Sequence, residues 1–282
     1  MSTVPDPVVK AAPASTGPSG PRARVLAITS GKGGVGKTFV AANLAAALVR
    51  QGLRVLVLDA DLGLANLDVV LNLAPKVTLH DVFTGKTALD DAILPAPGGF
   101  SVLLAGSGLV EYSRLTVEVR DQLLKIVETL APRYDRILLD TGAGISDVVL
   151  FAVSLAQEVL VVATPEPTSM TDAYATVKVL AVQQQRRDIR LVVNLVSRAG
   201  EGRTVRGQLQ KVVDLYVTPL TADPGQPVQP VRLDLLGEIP IDPAVREAVQ
   251  KRRLLLELVP GCPAAQAIGA IGARLVEATD AR

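Results

Sequence analysis

The sequence predicts an α/β protein built on a doubly wound, mostly parallel sheet. Three observations carry that expectation. From Arg24 onward, short β-branched apolar runs alternate with stretches of helical periodicity. The runs are apolar at nearly every position, as strands covered on both faces must be. Residues with chemical character gather just after the runs, where ligands of such sheets lie. Parallel neighbours also require crossover connections, right-handed in about 98% of cases, and the intervening helices supply them.

The strands, in order, are RVLAIT, RVLVLD, FSVLLAG, DRILLD, EVLVVAT, IRLVVNLV and DLLGEIP. Helices are expected between them, near 37–51, 116–131, 147–156, 168–185, 201–216 and 243–252. Residues 1–23 are rich in Pro, Ala and Ser and lack the basic start and continuous apolar core of a secretory signal, so they read as a disordered tail. One main domain is expected over 24–260. Within it, VTPLTADPGQPVQPVRL has three prolines and a glycine after Leu220, which forbid helix and suit an extended surface loop. Over 261–282, Ala264, Ile268, Ile271, Leu275 and Ala278 share one helix face. That face suits a membrane surface or a partner, or else packing on the domain or a frayed helix, and the sequence leaves membrane binding level with the rest.

Composition narrows the function classes. Lys and Arg number 29 against 28 Asp and Glu, so the chain has no overall bias toward nucleic acid or anionic lipid. Any such contact must be a local patch. The basic runs QQQRRDIR and QKRRLLL could meet DNA phosphates, but solvated helix faces are the stronger expectation. A single cysteine, Cys262, excludes an internal disulfide and a thiolate metal cluster and fits a reducing cytoplasm. His80 has no neighbouring metal partner in VTLHDVF, and a helix-surface or packing role is expected for it. No apolar stretch is long enough to span a bilayer.

The first motif lies between the first strand and first helix. Gly31, four residues, then Gly36-Lys37-Thr38 is the spacing of a phosphate-binding loop. Glycines let successive amides converge on phosphate oxygens, and the following helix adds its positive end. Lys37 neutralises the outer phosphates, and the Thr38 hydroxyl can ligate Mg2+. Nucleoside triphosphate binding follows. Two carboxylates, Asp59 and Asp61, end the second strand. Beside a phosphate loop they would repel the nucleotide unless a metal or an attacking water stands between, although they could also cap the next helix. ILLDTGAGIS ends a strand at Asp140, as a carboxylate holding a metal-bound water would, and Gly142 and Gly144 permit a mobile segment after it.

The complete loop KGGVGKT, with Lys32 as a second lysine, resembles the deviant Walker A motif of the MinD/ParA class of P-loop ATPases. The resemblance covers about Arg24 to Arg253. It implies ATP and Mg2+ as cofactors, with Gly31, Lys32, Gly33, Gly34, Val35, Gly36, Lys37 and Thr38 around the phosphates. Lys32 would reach across a homodimer to the partner's nucleotide, and Asp61 would orient the attacking water. Asp140 and Thr38 would hold the metal, with Asp59 supporting its water shell. Asn194, and Pro240 with Asp242 in GEIPIDPAVREAV, would meet adenine, although Asp242 serves equally as an N-cap before Pro243.

Within that class, DADLGLANLDVVLNL, LHDVFTGKTALDDAI, LLAGSG and TPEPTSMTDAYATVKVL resemble the FlhG/FleN branch, whose members regulate the number and placement of flagella. The implied function is an ATP-dependent dimerising switch with slow hydrolysis, cytoplasmic and able to sit at the inner face of the membrane. Its implied partners are the flagellar GTPase FlhF, a flagellar switch protein or a flagellar transcription regulator. DNA partition of the ParA type and division-site positioning of the MinD type are the alternatives. The branch's N-terminal Asp-Gln-Ala-x-x-Leu-Arg segment, which stimulates FlhF, is missing from residues 1–23, the proline-rich insertion is foreign to the branch, and Phe39 replaces a small or polar residue. An iron–sulfur reductase is excluded because no cysteine lies near the switch segment.

Overall fold

The seven apolar runs form strands, and a short eighth joins them. The structure, a computed structural model, describes residues 23–63, 65–106, 116–221 and 228–280. Within these the strands are β1 (Arg24–Ser30), β2 (Val55–Ala60), β3 (Ile93–Pro95), β4 (Ser101–Leu103), β5 (Arg136–Ala143), β6 (Glu158–Ala163), β7 (Asp188–Val196) and β8 (Arg232–Pro240). They make one sheet in the order β3-β4-β2-β5-β1-β6-β7-β8. Every neighbouring pair is parallel except β3 with β4. The expected doubly wound, mostly parallel sheet is therefore present. The antiparallel edge strand β3 was not expected from sequence, because three residues ending in a proline carry no periodicity.

Eleven α-helices cover the sheet among the described residues. They are α1 (Lys37–Val49), α2 (Leu67–Leu71), α3 (Leu79–Phe83), α4 (Leu89–Ala92), α5 (Val117–Leu130), α6 (Asp147–Ser154), α7 (Pro167–Gln183), α8 (Glu201–Tyr216), α9 (Pro243–Gln250), α10 (Leu255–Leu258) and α11 (Pro263–Asp280). Alternation along the strands divides the core into two layers, since successive side chains point to opposite faces. Val25 and Ala27 of β1 join the layer under α5 to α8. Leu26 and Ile28 join the layer under α1, α2 and α9 to α11.

The last helix packs on the domain. Ala264, Ile268, Ile271 and Leu275 are buried, and α11 lies against α1 and β8. The fit is close, since a Cβ on Gly237 of β8 would fall 2.5 Å from Ile271 Cγ1. Arg136 of β5 adds a hydrogen bond from Nη2 to Leu275 O at 3.0 Å. Ala278 lies where side chains are not described. No helix among the described residues is long and apolar enough to cross a membrane. The expected tail and most of the proline-rich loop lie outside the described residues.

The run QQQRRDIR differs from the solvated face expected of it. Arg186 donates to the carbonyls of Val153, Ala156 and Gln157 at the end of α6, and Arg190 is buried against Glu158. The run ends a helix and enters a strand, so its side chains turn toward neighbouring carbonyls and a buried carboxylate rather than lying along one helix surface. Cys262 is buried, and burial pushes its thiol pKa up, consistent with a packing residue.

Candidate active site

The strand order reverses at β1, which lies between β5 and β6 while β2 lies on the far side of β5. The loop after β1 therefore opens at the point where an open α/β sheet offers its crevice. Gly34 and Gly36 adopt φ of 80° and 88°, the left-handed region that a side chain disfavours. Gly36 is also the N-cap of α1, and no side chain caps that helix. Its first amides are thus left for an anion. Two glycines mark close approaches: a Cβ on Gly31 would fall 2.1 Å from Asp172 O of α7, and one on Gly36 would fall 2.5 Å from Asn194 Nδ2.

A cleft of about 540 Å³ spreads over this loop, and Lys32 to Thr38 line it. Asp61, Asn66, Gly142 and Ser146 close its far side. Lys37 lies mostly buried, with Nζ 3.6 Å from Asp140 Oδ1. Asp59 and Asp140 are register partners on β2 and β5, so their carboxylates lie side by side. Burial raises the pKa of Asp140, opposed by Lys37 and by a hydrogen bond from Thr38. Asp59 is raised well above the ordinary carboxylate value, first by burial and next by the charge of Asp140. Its Oδ1 accepts the amide of Asp61 at 3.1 Å, which fixes the turn that brings Asp61 to the cleft.

These acids fit a magnesium site. Asp140 Oδ1, which faces the Lys37 ammonium, and Asp59 Oδ2 are buried without a hydrogen-bond partner among the described residues, and Thr38 adjoins Asp140. No group of three or more His, Cys, Asp or Glu among the described residues could hold a metal by itself. Magnesium commonly uses one or two protein groups together with substrate phosphates and waters, so this sparse donor set suits it.

The two lysines occupy different places. Lys37 keeps 11% of its side-chain surface exposed, whereas Lys32 keeps 38% at the mouth of the cleft. Lys32 Nζ donates to Glu166 Oε2 at 2.9 Å and to Thr168 Oγ1 at 3.0 Å, both at the start of α7. Sequence reasoning assigned no role to Glu166 and Thr168. They lie more than 130 positions from Lys32, and the signal available was only their place after strand β6.

The expected adenine residues are not among those lining the cleft. Asn194 is buried, and its Nδ2 donates to Val35 O at 2.8 Å, bracing the phosphate loop from β7. Asp242 caps α9 through Ala244 N at 2.9 Å and also receives Ala264 N of α11 at 3.1 Å. Pro240 ends β8 beside it. The segment after β5 is tied to the loop by Gly144 N donating to Ser30 O at 2.8 Å.

A phosphate loop at the switch point of a parallel sheet, with paired strand-end acids and a protected lysine, defines a P-loop nucleoside triphosphatase fold and site. The chain belongs to the ParA family of these proteins: the family model described as NUBPL iron-transfer P-loop NTPase matches residues 22–276. The antiactivator FleN of Pseudomonas aeruginosa is 41% identical over 252 residues, which cover 89% of this chain and 86% of that one. The flagellum site-determining protein YlxH of Helicobacter pylori is 32% identical, covering 90% and 82%. Among solved structures, the septum site-determining protein MinD of Pyrococcus horikoshii, complexed with Mg-ADP, superposes with a TM-score of 0.73 at 27% identity, covering 91% and 97%.

Proposed function

We propose that this protein is an ATP-dependent switch that dimerises around two nucleotides, hydrolyses ATP slowly and regulates the number or placement of flagella. The flagellar reading rests on likeness to FleN and YlxH. The dimer reading is carried by one observation: the second lysine, Lys32, stands at the cleft mouth on partners that are themselves exposed, while Lys37 already serves the interior. A cation held there by a surface pair with Glu166 can exchange partners cheaply, since exposed ion pairs contribute about 0–1 kcal/mol.

In this reading the amides of Gly33, Gly34 and Gly36 and the first turn of α1 bind the phosphates, and Lys37 neutralises them. Val35 and Gly31 hold the loop against β7 and α7. Thr38 and Asp140 would hold Mg2+, with Asp59 behind, and the metal would supply charge for the developing negative oxygens. Asp61, set by its amide bond to Asp59, orients the attacking water, and catalysis arises mainly from alignment and electrostatics. Asn194, Pro240 and Asp242 would stand on the adenine side of the nucleotide, with Asn194 acting through the loop it braces. Loss of the terminal phosphate frees Lys32 of the partner's nucleotide and lets it return to Glu166. Light scattering of the full chain with Mg·ATP tests the proposal: the account expects dimer with ATP and monomer with ADP, and a monomer in both would overturn it.

A further inference from the structure

A cluster of charged side chains outside the nucleotide cleft lies at the opposite end of the sheet. There, at the amino ends of β6, β7 and β8, a second cleft of about 510 Å³ is lined by Arg186, Arg187, Arg190, Arg206 and Arg232. Three carboxylates, Glu158, Asp188 and Asp234, share it. Glu158 has little charge to spare, because it already receives Arg24 at 3.4 Å, Arg136 at 2.9 Å and Arg190 at 3.0 Å. Asp188 and Asp234 are exposed at the rim.

Arg187 carries the sharper sign of a ligand. Its Nη2 donates to Thr221 O at 2.7 Å, but its Nη1 is closed to solvent and has no hydrogen-bond partner among the described residues. An unmet donor on a charged group is costly, and turning the partly exposed guanidinium toward an acceptor in the cleft relieves that cost. Arg232 stands beside it: its backbone N donates to Arg187 O at 2.7 Å, and its side chain is exposed. Guanidinium forks match the paired oxygens of phosphate groups. Among the described residues no aromatic side chain lines the cleft, so recognition would fall on phosphate and not on a stacked base.

We propose that this cleft binds a small phosphate-bearing ligand of the diphosphate class, through Arg187 and Arg232, at a site separate from the phosphate loop. The proposal does not depend on dimerisation or on a flagellar role. Isothermal titration of inorganic pyrophosphate into the full chain carrying one equivalent of Mg·ADP tests it, the ADP occupying the tighter phosphate loop and leaving the cleft open. Saturable binding is expected, weakened at least tenfold by Arg187→Ala and by Arg232→Ala, with the rate of ATP hydrolysis unchanged. Arg187 also holds Thr221, so the exposed Arg232→Ala variant keeps the test meaningful if Arg187→Ala misfolds. A second ADP per chain, lost in Arg232→Ala, would identify a nucleoside diphosphate as the source; one ADP together with pyrophosphate binding would identify the free diphosphate. Absence of saturable heat, or equal binding in the wild type and Arg232→Ala, would overturn the proposal. So would heat with a duplex oligonucleotide but none with pyrophosphate.

Discussion

At the scale of single residues, the site divides labour between groups of like charge. Lys37 is enclosed near Asp140, so Lys37→Ala removes a charge-assisted contact and should weaken Mg·ATP binding about 10- to 100-fold or more by calorimetry. Asp61 sits at the edge of the same cleft. Asp61→Ala should keep binding while phosphate release falls about 100-fold or more, the range of a lost water-positioning group. Asp59 answers to pH. Burial and the Asp140 charge raise its folded-state pKa above the unfolded value of about 3.9, so the folded state holds the proton more tightly. The stability linked to that proton is present below the unfolded value and is lost as pH rises through the folded one. Asp59→Asn should therefore raise the melting temperature of the nucleotide-free protein at pH 7–8. The gain over wild type should shrink on acidification toward pH 4, and a constant gain would show that the charge is not responsible.

At the scale of elements, α11 is part of the core. Ile268→Ala should cost about 2–5 kcal/mol, read from denaturant unfolding, as removal of a buried aliphatic group does. Truncation after Gly261 should lower the melting temperature in lipid-free buffer, because it uncovers α1 and β8 and removes the acceptor at Leu275. A helix serving only a membrane would leave melting unchanged. Local pattern made most elements legible: β1, β6 and α8 begin where the apolar runs and helical periods begin. The short pieces β3, α2, α4 and α10 escaped, because a segment of three to five residues has no period to read. The face of α11 was legible as apolar, but what covers it was not, since lipid and protein make the same demand on a sequence.

At the scale of the whole molecule, the eight-stranded sheet brings distant segments to one opening. Spacing alone located the phosphate loop, and the strand-end rule pointed to Asp59, Asp61 and Asp140. What stayed hidden were contacts across the chain. Asn194 braces Val35 from 159 positions away, and Glu166 and Thr168 hold Lys32 from the start of α7. Tertiary partners of that kind leave no local trace, and for the same reason QQQRRDIR looked like a solvated face while two of its arginines cap carbonyls or enter the core.

The central claim is that Lys32 serves a second copy of this chain and not its own nucleotide. Multi-angle light scattering of Asp61→Ala, alone and combined with Lys32→Ala, both saturated with Mg·ATP, tests it most directly. The account predicts a stable dimer for the first and a monomer for the second, with ATP affinity equal within about threefold, less than 1 kcal/mol. Dimers of equal stability in both, or loss of ATP binding together with dimerisation, would contradict it.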